Sequence, residues 1–527
     1  MPGRLIAWRA VVGLVLGLAG PVAVATVACG QSPSLAFGHP KSCAFHGSCA
    51  PGTSSVRCSR LFVHSLLAAD TSDPRALFIE GYAGRVSLRQ GEELPLHVST
   101  SAGTFSVEIA RIGATRTVVF SRDGIAGAEA PIPEAASAQG CGWPVALRVP
   151  VPAEWPSGYY EVVLRVADGG GRYVQRGKRT AEATCFFIVR QARPGTTSKI
   201  LLQLATNTYA AYNNWGGQSL YAYNGRAGVQ GHKVSFLRPP ASQFHQWERA
   251  LVAWAETHGF PLEFAANLDL ETDPAMLSAY RLVLSVGHDE YWSAPMRDHL
   301  EAFLAAGGNA AFFSGNTCCW QVRAEDGGTA LVSWKQRYVM DPLFPGGDHA
   351  RLSTLWSHHL VNRPENRLTG VGFLFGGYHR SHGQLMDGSG AYTVHRPEHW
   401  LLAGTGLARG DAFGGKDTIV GYECDGCEIE WRDGLPFPTG RDGTPAGFEI
   451  VATAPAKWHP DDALFYDRFP ADRVGNAVVG CYTAVGDGGA AGGTVVTVGA
   501  TDWAHGLAGA DAVVERITRT VLERLGR

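Results

Sequence analysis

The heptapeptide GHDEYWS, Gly287 to Ser293, lies between an apolar run, RLVLSVG, and a helical pattern, SAPMRDHLEAFLAAGG. It places an imidazole and a carboxylate two residues apart, His288 and Glu290, beside a phenol and an indole, Tyr291 and Trp292. Such a set offers a nucleophilic triad, a metal site or a helix start. Ser293 and Pro295 suit a helix start, because Ser accepts a first-turn N–H and Pro has none to lose. Acids near that end also gain from the helix dipole. Capping does not require His288 and Glu290 two apart. A nucleophilic elbow would carry Ser or Cys at its tip. Here Ser285 lies inside the strand, and the vicinal Cys318 and Cys319 follow a different one. Carboxylate, imidazole and phenol together can instead bind a metal. Asp289 takes no role in this reading.

Three further strand exits are equally polar. ATNTYAAYNNWGG carries Tyr209, Tyr212, Asn213, Asn214 and Trp215; SGNTCCW carries Asn316; GATDWAHGL carries Asp502, Trp503 and His505. In an open parallel sheet, ligands bind outside the carboxyl ends of the strands. The four exits would then ring one cleft. The elements that must position them are short apolar strands, KILLQLA, PLEFA, RLVLSVG and NAAFFSGN, alternating with helices. In FHQWERALVAWAETHG, Phe244, Trp247, Leu251 and Trp254 share a helical face, and Gly259 marks the stop. A second helix runs from Ser293 to Ala306, and DAVVERITRTVLERL closes the chain. Strands alternating with helices imply a mostly parallel sheet covered on both faces. Residues 320 to 490 are irregular, aromatic and Gly-rich, and read as long insertions walling the site. Upstream, residues 74–193 hold short alternating runs such as LPLHVST, FSVEIARIG and CFFIVR, the pattern of an antiparallel β-sandwich. The chain is thus predicted to be α+β and multidomain, with the α/β part over 197–527.

The chain has 527 residues, 45% of them hydrophobic and 18% charged, enough for a sizeable core. Its net charge of -3 gives no electrostatic case for nucleic acid. Arg4 and Arg9 precede an apolar stretch, Ala10 to Ala28, as in an export signal. The sequence TVAC, ending at Cys29, resembles a bacterial lipobox. Residues 1–29 therefore predict export to the cell surface, periplasm or medium, with membrane contact only through a lipid or an uncleaved anchor. Residues 30–73 read as a Cys-, Ser- and Gly-rich linker. Ten cysteines besides Cys29, in an oxidising compartment, predict disulfides. Cys424-x-x-Cys427 has a zinc-like spacing but only the adjacent Cys318 and Cys319 for partners, so disulfides are preferred there too.

The segments SKILLQLATNTYAAYNNWGGQSLYAYN, VLSVGHDEYWSAPMRDHLEAFLAAGGNAAFFSGNTCCWQVR, IVGYECDG and GATDWAHGL occur in that order. Together they resemble the large-subunit family of N,N-dimethylformamidase. The resemblance covers about residues 75 to 525. It implies an immunoglobulin-like sandwich followed by a glutamine-amidotransferase-like (flavodoxin-type) α/β domain. It also implies a mononuclear iron, in its trivalent state, held by two tyrosinates and one glutamate, and hydrolysis of an amide C–N bond. Carried onto this chain, the glutamate falls on Glu290. One tyrosine falls on Tyr212, with Tyr209 as its rival, and the other on Tyr160 of SGYYEV. His288, Asn316, Lys335 and Glu423 match residues around the metal. Phenolate and carboxylate are hard donors that suit trivalent iron. Glu423 is then a candidate general base, and Asn316 a candidate donor to the oxyanion.

The expected partner is a small amide-containing substrate, with a small subunit or a second copy as candidates for assembly. Two other readings remain open. One is a noncatalytic cell-surface protein binding carbohydrate or peptide, with Trp215, Trp292, Trp320 and Trp503 as stacking platforms. The other is a sugar-processing enzyme like the trehalose-utilisation proteins.

Overall fold

Alternating apolar residues along Glu93–Thr100, Thr104–Ile112 and Gly158–Ala167 send one side chain in two toward a common core. They build two facing sheets. One orders Ile79–Ala83, Glu93–Thr100 and Val145–Pro150; the other orders Ser87–Arg89, Thr180–Arg190, Gly158–Ala167, Thr104–Ile112 and Arg116–Ala126. Leu94, Leu96 and Val149 from the first meet Val107, Ile109, Val162 and Leu164 from the second. The sandwich is antiparallel except at one edge, where Ser87–Arg89 runs parallel to Ile188–Arg190. In this computed structural model the described residues are 77–167, 180–381, 384–385, 390–458 and 474–527. The export signal, the linker, and Cys29, Cys43, Cys49 and Cys58 lie outside them.

The main sheet has eleven strands. Five are parallel, in the spatial order Glu263–Ala266, Ile200–Leu204, Leu282–His288, Asn309–Gly315 and Ala491–Thr497. Leu201, Val283 and Ala310 pack on one face against Met296, Leu300 and Leu304 of the helix Ala294–Ala305. Their neighbours Leu202, Leu284 and Ala311 pack on the other face with Leu251 of Glu248–Thr257 and with Ile517 and Val521 of Ala512–Gly526. Each such leucine taken fully from water contributes about 2 kcal/mol. Phe244 and Trp247 are buried as expected but precede the helix, which starts at Glu248.

Two expectations are corrected. The sheet is mixed rather than mostly parallel. Beyond Ala491–Thr497 it continues antiparallel through Val474–Val485, Glu449–Lys457, Gly372–Tyr378 and Glu423–Gly426. Residues 320–490 are therefore not simply insertions; they supply half of the main sheet. Secondly, all seven described cysteines are free. Cys318 sits in the core under one face of the sheet, while its neighbour Cys319 packs with Trp320 and Leu355 in a separate cluster. Cys424 and Cys427 likewise point into different cores. Side chains that point into different cores cannot bridge without moving the backbone.

Sandwich and α/β portion share one core, since Ile112, Tyr159 and Ile188 pack with Leu202 and Phe244. Ion pairs reinforce the seam: Arg190 reaches Asp269 at 3.1 Å and Asp273 at 2.9 Å, and Arg111 reaches Glu256 at 2.6 Å. A four-stranded sheet stands beside the main one, in the order Lys233–Ser235, Ala330–Val332, Trp320–Glu325 and Tyr291–Ser293. It carries Tyr291 and Trp320 as a cross-strand pair.

Candidate functional site

The exits of the strands ending at His288 and Gly315 lie side by side, because His288 pairs with Gly315 in the parallel register. Gly287 turns the chain there at φ +79°, and a Cβ at that position would collide with Trp247. The requirement for glycine is thus double, conformational and steric. Ser293 caps the next helix as expected, accepting the Met296 N–H at 3.3 Å. Asp289, which the sequence left without a role, anchors the turn. Its carboxylate accepts from Gln203 at 2.6 Å, Ser285 at 2.8 Å and Asn267 at 3.0 Å. Burial pushes Asp289 up to about 6, with these donors opposing.

Three hard oxygen donors converge beyond this turn. The Tyr221 hydroxyl lies 2.8 Å from the Tyr212 hydroxyl and 2.8 and 2.9 Å from the two carboxylate oxygens of Glu290. The Trp320 indole N–H donates to Glu290 Oε1 at 2.7 Å. Tyr212 ends the short helix Thr206–Tyr212, and Tyr221 sits nine residues on, in the following loop. Glu290 and Tyr212 are brought together as the resemblance implied; Tyr160 is not. Tyr160 is fully buried in the sandwich, stacked between Trp155 and Phe187, and its hydroxyl donates to the Pro156 carbonyl at 2.7 Å. Its strand faces it into the sandwich core, so the second phenol beside Glu290 is Tyr221. The motif SLYAYN that holds Tyr221 was in view in the sequence, but nothing in its spacing distinguished it from Tyr223. The rival Tyr209 has its hydroxyl bonded to the buried Glu248 rather than to Glu290.

His288 stands between two carboxylates, 2.7 Å from Glu423 Oε2 and 3.3 Å from Glu290 Oε2. Burial works to lower His288, but the two carboxylates outweigh it and raise it to about 10. Burial also raises Glu423, which His288 only partly offsets. Glu290 goes the other way. Burial raises it, but His288, Lys335 and Tyr221 together hold it below the usual carboxylate range. The Nδ1 atom of His288 is buried without a hydrogen-bond partner. Asn316, at φ +51°, donates to Glu423 Oε2 at 3.2 Å; its backbone N–H is tied to Asp425 at 3.0 Å. Lys335, at φ +52° and 1% exposed, donates to the Tyr291 hydroxyl at 2.9 Å. Burial lowers it to about 8 against the pull of Glu290. All four residues proposed around the metal therefore reach the site.

Asp502 orders a loop, as expected, accepting from Trp247 at 2.9 Å and Arg380 at 2.8 Å. Trp215, Trp292, Trp320 and Trp503 are all buried, so none is an exposed stacking platform. Exposed aromatic surface at the site comes instead from Tyr223, which packs on Tyr221 with ring centroids 5.3 Å apart.

Residues 106–516 match the family described as N,N-dimethylformamidase beta subunit-like, C-terminal. The chain belongs to that family. The match spans both the later strands of the sandwich and nearly all of the α/β portion, so every residue at the site above falls within it. No individually curated protein matches the chain. Among the described residues of this dimethylformamidase-like chain, no three His, Cys, Asp or Glu side chains are arranged to hold a metal ion. A cation at this site would therefore depend on the phenols. The donor set fits one. Oxygens 2.8 to 2.9 Å apart have the spacing of neighbouring ligands around a small hard cation bonded at about 2 Å. Burial and the charge of Glu290 hold both phenols protonated, well above their ordinary range. Only a cation replacing the protons would make them phenolates.

Proposed function

We propose that this chain is an exported metal-dependent hydrolase that cleaves an amide C–N bond, with a mononuclear trivalent iron held by Glu290, Tyr212 and Tyr221. The observation that carries this reading is the convergence of those three oxygen donors beside the His288–Glu423 pair. A hard cation bound there supplies polarisation of the amide carbonyl and acidification of water.

The protein residues divide the remaining work. Glu423, raised by burial, accepts a proton as the oxygen of water bonds to the acyl carbon. His288 holds a proton between the two carboxylates through its Nε2. The Asn316 amide donates to the oxygen that becomes negative. The C–N bond then breaks, and the proton taken by Glu423 passes to the departing nitrogen. Lys335, buried and cationic, keeps the cluster from accumulating unbalanced negative charge.

The test is elemental analysis and a visible spectrum of the purified protein, followed by assays with small formamides and acetamides. One iron per chain, a tyrosinate charge-transfer band, and loss of both in Glu290→Ala support the reading. A metal-free protein that still hydrolyses amides sinks it. Export rests on Arg4, Arg9, the apolar run and Cys29, and is tested by lipid labelling with Cys29→Ser as comparison. The beta-subunit-like character of the family makes a small partner subunit part of the proposal, checked by the mass of the native assembly.

A further inference from the structure

Tyr291 enters the site by its hydroxyl alone. Its ring is 0% exposed and packs with Ala211, Leu220 and Val322. Pairing with Trp320 across the small sheet fixes its direction. The hydroxyl accepts from Lys335 Nζ at 2.9 Å and donates to the Tyr221 oxygen at 2.7 Å. Lys335 reaches Tyr221 a second time, with its ammonium 3.4 Å from the centroid of the Tyr221 ring. It also lies 4.5 Å from the Trp320 ring. No ion pair holds Lys335 among the described residues. A buried ammonium is costly unless its donors and charge are satisfied; besides the charge of Glu290 and the Trp320 ring, Lys335 draws that support from the Tyr291 hydroxyl and the Tyr221 ring. Tyr212 shows neither contact.

We propose that Tyr291 is a positioning residue that, with Lys335, makes Tyr221 the weaker electron donor of the two phenols. This rests on the reading that Tyr212, Tyr221 and Glu290 hold the cation. A hydrogen bond donated to a phenol oxygen withdraws electron density from it, and a cation over the ring face does the same through the π system. The two phenols are therefore unequal by construction. The Tyr212 side binds strongly, and the Tyr221 side keeps the cation electron-poor and better able to polarise a carbonyl.

The experiment uses full-length protein loaded with iron, comparing wild type with Tyr291→Phe and, separately, Lys335→Met. The expected result is unchanged iron stoichiometry in Tyr291→Phe with its charge-transfer band moved to longer wavelength, because the filled orbitals of Tyr221 rise. Lys335→Met moves the band the same way. In kinetics, kcat falls while KM changes little. A wild-type band that stays in place in Tyr291→Phe overturns the proposal and leaves the metal reading standing. A wild type that takes up no iron overturns the metal reading and this proposal together. If Lys335→Met fails to fold, Tyr291→Phe alone decides.

Discussion

Arg238 is the residue whose replacement should most directly show how the two phenols are held. Its side chain is 0% exposed, and it faces carbonyls rather than an acid. It donates to the carbonyls of Asn213 at 2.9 Å, Ser235 at 3.0 Å and Gln218 at 3.1 Å, and also to that of Trp215. Three of these four carbonyls belong to the loop between Tyr212 and Tyr221. In Arg238→Met the Gln218 carbonyl can turn to water, but those of Asn213, Trp215 and Ser235 stay buried. Each orphaned acceptor costs about 1 kcal/mol or more, giving about 3 kcal/mol. Relief from burying a guanidinium acts in the opposite direction. It does not cancel the loss, because a methionine restores none of the bonds that shape the loop. The assay is amide hydrogen exchange read by peptide. A local loss of about 3 kcal/mol lowers protection of residues 213–221 about a hundredfold. Arg238→Lys, which keeps the charge and some donors, should recover part of it. If protection in 213–221 falls no more than in the helix Glu248–Thr257, the clamp is not there and the reasoning fails.

Three other outcomes are expected. Tyr160→Phe should lose about 1 kcal/mol of stability, from the bond to Pro156, and leave iron content unchanged, whereas Tyr221→Phe should lose iron; the reverse pattern would restore Tyr160 as a ligand. Gly287→Ala should destabilise by about 2 kcal/mol or more, from its left-handed backbone and overlap with Trp247, and should lower activity by displacing His288, as urea denaturation and assay would show. Glu365 is pushed up from 4.5 to about 8, by burial and by Asp425 against the pull of Arg297. Since its folded value lies above its unfolded one, its contribution is complete below about pH 4.5 and is lost as pH rises through about 8. Glu365→Gln should therefore melt nearer to wild type at the acid end and gain relative to it at the alkaline end. Melting curves that stay parallel across that range would refute this.

The parallel half of the fold was legible because its strands are uninterrupted apolar runs. Leu282–His288 and Asn309–Gly315 are buried on both faces, so every position carries the signal. The antiparallel half was not, for reasons that can be named. Gly372–Tyr378 reads GFLFGGY and has an irregular register between Gly372 and Gly377. Gly376 is there because the Cys424 carbonyl crosses where a Cβ would be. A bulged, Gly-rich strand of this kind loses the period-2 pattern that identifies strands. The disulfide expectation failed differently among the seven described cysteines. It treated cysteine number as evidence of pairing, whereas each described cysteine serves as a small buried apolar side chain.

At the site, the residues fixed to strand exits were the ones the sequence could find. His288, Glu290 and Asn316 each sit at a main-sheet strand end or in the turn just after it, where pattern alone implies a ligand-facing position; Glu423 opens an antiparallel strand and was reached only through the family resemblance. Tyr221 could not be found in that way, since it belongs to no regular element. Its placement follows from long-range contacts: Arg238 on the loop backbone, Asn224 donating to the Tyr212 carbonyl at 3.1 Å, and Trp215 donating its indole N–H to Glu80 of the sandwich at 3.0 Å. The last contact assigns the sandwich a part in the site. Trp215 packs with Tyr82 and Trp143, both from the sandwich, so the loop between the two phenols is gripped from outside the α/β portion. The carboxylate follows a main-sheet strand, and the phenols stand at the end of a helix and in the loop after it, which is pinned to the sandwich. Any shift of the sandwich against the main sheet would thus change the spacing between the phenols and Glu290. The shared core and the Arg190 and Arg111 ion pairs at the seam then act on the site as well as on stability.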